Sequence, residues 1–247
     1  MTSKSEIQGK IEQLVRAHKE GKLGDQTMPE DTHPEFSNDE QRRVFFTLPM
    51  ALNYQRDSYK LWCSARETFL DDDVKLVFDI KFAANADMGT LRQMLTKHKL
   101  ALQPNNHVAI WQKISQVVNE NWGTIGGLLD VADYDFVKLQ KIVQNDHKKQ
   151  FPYLSGPKIF HYWCKILGDY CNEELKNRHL IQIAPDTHVI QCAVKLGIMS
   201  DEEAKMLSRD DISERFRDIL ADTGIAPIDL HEPLWFWSKN NFEYRIT

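Results

Sequence analysis

The chain has few cysteines, no long apolar run and no excess of positive charge. Its four cysteines, Cys63, Cys164, Cys171 and Cys192, include no Cys-x-x-Cys pair. Neither a zinc knuckle nor a disulfide framework is indicated, and we expect reduced, buried thiols. No stretch approaches the roughly 20 apolar residues that cross a bilayer, and the polar start MTSKSEIQGK lacks the apolar centre of a signal peptide. These absences predict a cytoplasmic protein without a membrane partner.

The charge is unevenly distributed along the chain. A net charge of −5 over 247 residues argues mildly against nucleic acid as a partner. Between residues 134 and 165, however, six lysines stand against two aspartates and give a net charge of +4. Because a local patch is enough to neutralise DNA phosphates, this segment is a candidate DNA contact. The six lysines are Lys138, Lys141, Lys148, Lys149, Lys158 and Lys165.

The hydrophobic pattern predicts an all-α fold. Apolar residues recur at helical spacing in one segment after another, and no segment gives a convincing series of strands. We expect helices over residues 5–19, 50–69, 107–122 and 210–220, and a loop over the glycine- and proline-rich residues 21–38. The core of the fold is therefore expected to lie between helices.

Residues 151–189 form the most informative stretch. The sequence FPYLSGPK lies between two helical segments, residues 134–150 and a second segment that begins at Lys158. Two helices joined by a short glycine turn make a helix-hairpin-helix. Further along, IAPDTHV places Asp186 directly after Pro185, at the expected start of another helix.

A lysine at the start of the second hairpin helix, followed by an aspartate in a DTHV context, resembles the HhH-GPD superfamily of DNA glycosylases. Endonuclease III and the 8-oxoguanine DNA glycosylases belong to it. The resemblance covers about residues 45–196 and implies a two-lobed all-α fold. Residues 46–168 would form one lobe, which ends in the hairpin, and residues 1–45 with 169–247 would form the second lobe, which carries the aspartate.

The resemblance implies chemistry for two residues. Lys158 would attack the sugar C1′ and form a Schiff base, which permits strand cleavage by β-elimination. Asp186 would stabilise the positive charge that develops at C1′ as the base leaves. Endonuclease III-type enzymes often carry a four-cysteine iron–sulfur loop after this aspartate, but only Cys192 follows Asp186 here. No cluster, metal or other cofactor is therefore expected.

Further residues are assigned to DNA by the same resemblance. Gln55 lies where relatives carry the residue that fills the hole left by an extruded base. Two features depart from the family pattern: Leu154 replaces the first glycine of the turn, and Pro157 removes one backbone N–H. The expected DNA contacts are Gln55, Arg56, Lys148, Lys149, Ser155 and Gly156, and the aromatic residues Trp235, Phe236 and Trp237 are expected to stack on the extruded base.

These assignments predict a monomeric DNA glycosylase with AP lyase activity that acts on double-stranded DNA. An oxidised purine such as 8-oxoguanine is the leading candidate for the excised base, although the sequence does not determine which base is removed. Two alternatives stay open. One is an N-glycosidase for a free modified nucleoside or nucleotide, which the acidic net charge favours slightly. The other is a helix-hairpin-helix DNA-binding module without catalytic activity.

Overall fold

The structure is a computed structural model that describes residues 3–246. Within this range the chain forms thirteen α-helices and no β-strand, which confirms the all-α prediction. A single isolated bridge joins Asp135 and Lys176. The helices are α1 Lys4–Lys19, α2 Asp39–Thr47, α3 Ser58–Leu70, α4 Ile80–Asn85, α5 Met88–Lys97, α6 Pro104–Asn121, α7 Ile125–Val131, α8 Phe136–Gln140, α9 Pro157–Cys171, α10 Thr187–Leu196, α11 Asp201–Met206, α12 Arg209–Leu220 and α13 His231–Lys239.

The chain divides into two compact units. The larger unit is Met28–Asn177, and the smaller unit combines Met1–Thr27 with Arg178–Thr247. The larger unit extends beyond residues 46–168 at both ends. The N-terminal extension belongs to it because α2 packs against α9 and because the carboxylate of Glu30 accepts a hydrogen bond from Trp62.

Helix α6 is the central element of the larger unit. Its buried residues recur at intervals of three and four, so one face of the helix is apolar along its length. Helices α4 and α5 pack against it. The indole N–H of Trp111, which is fully buried, donates to the carbonyl of Val77 at 2.9 Å. This bond satisfies the polar atom of a large core side chain.

The smaller unit is built around α10 and α13, which pack against each other. Helix α1 lies against α13, α12 and α10 and buries Ile7, Ile11 and Leu14. The amide of Gln8 on α1 also donates to the carbonyl of Ile219 at 2.8 Å. The first helix of the chain therefore completes a core that is otherwise formed by the last 70 residues.

Side-chain caps define most helix starts. Ten of the thirteen described α-helices begin at a Ser, Thr, Asn or Asp whose side chain accepts a backbone N–H, as at Asp57, Asp186 and Ser200. Helices α6, α9 and α13 begin without such a cap. The first N–H groups of α6 and α9 therefore lack a side-chain acceptor at the N-cap.

Several local predictions are wrong. The helix expected over residues 50–69 is interrupted, because Met50–Leu52 forms a 3₁₀ turn, Gln55 adopts a left-handed φ of 51° and Asp57 caps a new helix. The helix expected over residues 134–150 is α-helical only as α8, which ends at Gln140. The next six residues, Lys141–Asp146, form a π-helical segment. Cys63 is exposed rather than buried, because it lies on the outer face of α3, whereas the other three cysteines are buried.

Membrane-spanning helices and metal-binding groups are absent from residues 3–246. Between residues 3 and 246, no helix combines the length and the hydropathy that crossing a bilayer requires. In the same range, no group of three or more His, Cys, Asp and Glu side chains is arranged to hold a metal ion. The four cysteines are not joined by disulfides.

Candidate functional site

Residues 147–156 form the turn that precedes α9, called the hairpin turn below after the sequence prediction, and this turn is held by its own polar groups. The N–H of Ser155 donates to the carbonyl of Phe151 at 2.9 Å, and the N–H of Gly156 donates to the carbonyl of Tyr153 at 2.9 Å. The Ser155 hydroxyl donates to the carbonyl of Lys148 at 3.2 Å. The backbone carbonyl of Ser155 accepts from the side-chain amide of Gln144 at 3.1 Å. Ser155 is buried, and its side chain stabilises the turn through this bond.

Lys158 is the second residue of α9 and is exposed. Gly156 is the N-cap of this helix and has no side chain to accept the first N–H groups, while Pro157 occupies the first helical position, which suits its fixed φ. An uncapped helix start directs partial positive charge and free donors outward. The predicted nucleophile therefore lies beside a site that favours an anion.

The basic segment contains two kinds of lysine. Lys138, Lys141 and Lys165 form ion pairs with Asp133, Asp146 and Asp169. Within the described residues of the larger unit, Lys148, Lys149 and Lys158 are exposed and have no carboxylate at ion-pairing distance. The unpaired positive charge of the basic segment is thus concentrated at the hairpin turn and at the start of α9.

Gln55 and Arg56 lie in the segment that separates the 3₁₀ turn Met50–Leu52 from α3. Gln55 is exposed. The guanidinium of Arg56 donates from Nη1 to the carbonyl of Leu100 at 2.6 Å and from Nη2 to the carbonyl of Lys99 at 2.8 Å. Partial burial lowers the pKa of Arg56. Arg56 therefore joins two loops, and its two terminal nitrogens are already engaged with backbone.

The structure brings the Gln55 segment and the hairpin turn together through two tyrosines. The rings of Tyr54 and Tyr153 stack with centroids 5.0 Å apart and an interplanar angle of 26°. The Tyr153 hydroxyl accepts a hydrogen bond from the Asn106 amide at 3.0 Å, which adds the start of α6 to the same region. Neither tyrosine was expected to contribute, because no local pattern relates positions 54 and 153.

Asp186 belongs to the smaller unit, whereas Lys158 belongs to the larger unit. One carboxylate oxygen, Oδ1, caps α10 by accepting the N–H of Val189 at 2.9 Å. The other oxygen, Oδ2, lies 4.0 Å from Nε2 of the buried His231. Arg209 donates to the carbonyl of Pro185 and so holds the backbone just before the cap. One carboxylate oxygen of Asp186 thus caps α10, and the second faces the imidazole ring of His231.

The three aromatic residues proposed for stacking have different surroundings. Phe236 is buried and stacks on His18, and Trp237 is buried against Phe242. Trp235 is partly exposed, and its ring forms a T-shaped contact with the His188 ring at 5.6 Å between centroids. Among the three, Trp235 is the ring with accessible surface beside the DTHV sequence.

His188 is held in one orientation by a short relay. Its Nδ1 lies 3.0 Å from the hydroxyl of Ser238, and this hydroxyl donates to the side-chain oxygen of Gln191 at 2.9 Å. The Ser238 hydroxyl thus links the imidazole of His188 to the side chain of Gln191. This relay fixes the histidine ring that contacts Trp235.

Sequence reasoning missed a buried polar cluster around Glu30 in the larger unit. Oε1 of Glu30 accepts from the indole N–H of Trp62 at 2.9 Å and from the hydroxyl of Tyr162 at 3.2 Å, whereas Oε2 has no hydrogen-bond partner. Burial raises the pKa of this carboxyl to about 7, and its hydrogen bonds, including those from Trp62 and Tyr162, oppose part of that rise, as does nearby Lys165. The partners lie 32 and 132 residues away, so no sequence motif could have identified the cluster.

No family model matches the chain, and no curated protein matches it either. Function is therefore inferred from the residues and from their geometry within each unit.

Proposed function

We propose that the protein is a bifunctional DNA glycosylase and AP lyase of the two-lobed helix-hairpin-helix type, with an oxidised purine such as 8-oxoguanine as the leading candidate for its substrate. The observation that carries this proposal is the position of Lys158. It is exposed, it lies in the first turn of a helix without a side-chain cap, and it follows a tight turn that contains two further exposed lysines.

The covalent step uses the amine of Lys158. In its uncharged form the amine attacks C1′, the bond between C1′ and the base breaks, and the base leaves with the bonding electrons and takes up a proton. The bond between C1′ and O4′ then breaks as the double bond between C1′ and nitrogen forms, and the proton lost from the nitrogen goes to O4′, which leaves a Schiff base on an open sugar. Loss of a C2′ proton expels the 3′ phosphate and cleaves the strand. The uncapped start of α9 and the exposed Lys148 and Lys149 are suited to hold the phosphates beside this sugar.

Asp186 has the second role in the proposal. Breaking the bond to the base develops positive charge on the sugar, and a preorganised carboxylate near C1′ lowers the energy of that state. The helix cap fixes the orientation of the side chain, which supports this assignment. Gln55 is proposed to fill the space left by the extruded base, because it is exposed on a left-handed turn next to the hairpin.

We expect Lys158→Gln to abolish trapping of the protein on DNA that contains an abasic site in the presence of borohydride. The amide cannot form a Schiff base, so there is nothing for borohydride to reduce to a stable adduct. The measurement is the fraction of a labelled oligonucleotide that migrates with the protein on a denaturing gel. Lys60→Gln is the matched control, because Lys60 is an exposed lysine of the same unit on α3.

Undiminished trapping by Lys158→Gln would show that another amine is the nucleophile. The reactions of the parent protein also distinguish the proposed function from its two alternatives. A nucleosidase would release base from a free modified nucleoside without forming an adduct, and a helix-hairpin-helix binding module would bind DNA without either reaction. A panel of duplexes that each carry one lesion then identifies the excised base.

A further inference from the structure

Three segments of the larger unit meet at one surface, which we call the three-loop surface: residues 53–57, 99–106 and 147–158. Arg56 ties the first segment to the second through the carbonyls of Leu100 and Lys99. The Asn106 amide ties the second segment to the third by donating to the Tyr153 hydroxyl. The stacked rings of Tyr54 and Tyr153 tie the first segment to the third. The three segments therefore form one connected surface.

Tyr54 is unusually exposed for an aromatic side chain of this protein. About half of its surface, 51%, is accessible, although one neighbouring ring already stacks on it. Tyr153 adopts a left-handed φ of 61°, and Gln55, which follows Tyr54, has a φ of 51°. Such backbone conformations are costly for residues other than glycine and concentrate at functional sites. The strained turns thus hold an aromatic pair at the surface instead of in the core.

The three-loop surface is strongly basic in an acidic protein. It carries five cations against one carboxylate, whereas the chain as a whole has a net charge of −5. The cations are Arg56, Lys99, Lys148, Lys149 and Lys158. The one carboxylate, Asp57, is used to cap α3 by accepting the N–H of Lys60 at 3.2 Å. Two helices without a side-chain cap, α6 and α9, also begin here and add to the positive potential.

We propose that the three-loop surface binds a DNA strand in which one base is unpaired, and that this base stacks on the Tyr54 ring. Tyr153 supports the ring from behind, and Lys99, Lys148 and Lys149 contact the adjacent phosphates. An exposed aromatic ring surrounded by cations fits this ligand, because every base has a flat face and every nucleotide carries a phosphate. Stacking of this kind requires an unpaired base and is tolerant of sequence.

This inference deepens the proposed function, since it assigns to the glycosylase a preference for DNA that is already distorted beside the lesion. Unpairing and unstacking a base costs a few kcal/mol in intact duplex. DNA in which the base is already unpaired binds more tightly, because this free energy is not subtracted from the binding. The protein should therefore bind a duplex with one bulged base more tightly than the same duplex fully paired.

The test uses the full-length protein and two labelled duplexes that differ only in one bulged 2-aminopurine. Tyr54→Ala should weaken binding of the bulged duplex about 5- to 150-fold, the range for loss of one stacked base, and should abolish the quenching of 2-aminopurine. Tyr54→Phe keeps the ring and should bind like the parent. Leu70→Ala removes an equally exposed apolar side chain of the same unit and serves as the control.

The phosphate contacts have a separate readout. Lys148→Gln combined with Lys149→Gln should lower the steepness of the plot of log affinity against log salt concentration by about 1.8, the value for two lost phosphate contacts in duplex DNA. A parent protein that does not distinguish the two duplexes, or a Tyr54→Ala variant with parental affinity for the bulged duplex, would overturn the inference. The proposed enzymatic function fails on different evidence, namely the absence of a borohydride adduct with the parent protein.

Discussion

At the scale of single residues, Asp186 combines a structural and a proposed catalytic role that one pair of substitutions can separate. Asn is as good an N-cap as Asp, whereas Ala loses the bond to the Val189 N–H. Asp186→Asn should retain the parental free energy of unfolding and lower base excision about 10²- to 10³-fold. Asp186→Ala should lose excision and also about 1 kcal/mol of stability.

The measurements are single-turnover excision of one lesion and urea unfolding of the same preparations. Excision at the parental rate by Asp186→Asn would show that Asp186 is only a helix cap. The comparison is informative because the asparagine variant changes the charge of the side chain while it keeps the hydrogen bond to α10.

Glu30 is expected to make the stability of the larger unit depend on pH. Its pKa is raised by burial from an ordinary value of 4.5 to about 7 in the folded protein, so the folded state binds the proton more tightly than the unfolded chain. Protonated Glu30 therefore adds to the free energy of unfolding. This contribution is fully present below about pH 4.5 and is lost as the pH rises through about 7. It amounts to about 3 kcal/mol.

Glu30→Gln should therefore remove this decline in stability between pH 5 and pH 8. The amide keeps the size of the side chain and one acceptor for the Trp62 and Tyr162 donors. Urea unfolding at several pH values measures the effect, and Glu35→Gln, an exposed carboxylate nearby in sequence, is the control. A variant with the parental pH dependence would show that Glu30 does not titrate in this range.

At the scale of elements, Arg56 joins the segment before α3 to the loop that follows α5. Arg56→Ala should lower the free energy of unfolding by about 1–3 kcal/mol, because two hydrogen bonds from a charged group are lost and two carbonyls must find other donors. Thermal or urea unfolding measures the loss. Arg66→Ala on the exposed face of α3 is the matched control and should change stability by less than about 0.5 kcal/mol.

If Arg56→Ala were as stable as the parent, the contacts with Leu100 and Lys99 would not hold the loops together. The result also bears on DNA binding. Because the terminal nitrogens of Arg56 are engaged with backbone, we expect its replacement to act on DNA affinity through the position of Tyr54 rather than through a phosphate.

At the scale of the whole molecule, the two units differ in how the chain forms them. The larger unit is one continuous segment, Met28–Asn177, whereas the smaller unit needs Met1–Thr27 together with Arg178–Thr247. A fragment of residues 28–177 should therefore fold alone, with a helical circular dichroism spectrum and cooperative thermal unfolding. A fragment of residues 178–247 should not, since the apolar surface that α1 covers on α10, α12 and α13 would be exposed.

Linking residues 1–27 to the fragment of residues 178–247 should restore the helicity of that fragment. A random-coil spectrum for residues 28–177, or a fully folded fragment 178–247, would contradict this division of the chain. Circular dichroism and thermal unfolding of the three fragments are sufficient to decide.

The sequence by itself determined the all-α class and the approximate starts of several helices. Helical periodicity and capping residues such as Asp186 and Ser200 act within a few positions, so local sequence contains the information. It also placed Lys158 in the first turn of a helix, which is α9 in the structure. The break at Gln55 was missed, because the apolar pattern continues across it and only the left-handed turn reveals it.

The tertiary structure decided everything that depends on distant partners. The stack of Tyr54 on Tyr153 and the bonds from Trp62 and Tyr162 to Glu30 join positions that no sequence window contains together. The same holds for charge, because only the fold shows which lysines of the basic segment are neutralised by aspartates and which stay exposed. Local propensity is encoded in neighbouring residues, whereas burial and the electrostatics that follow from it arise only when distant segments pack together.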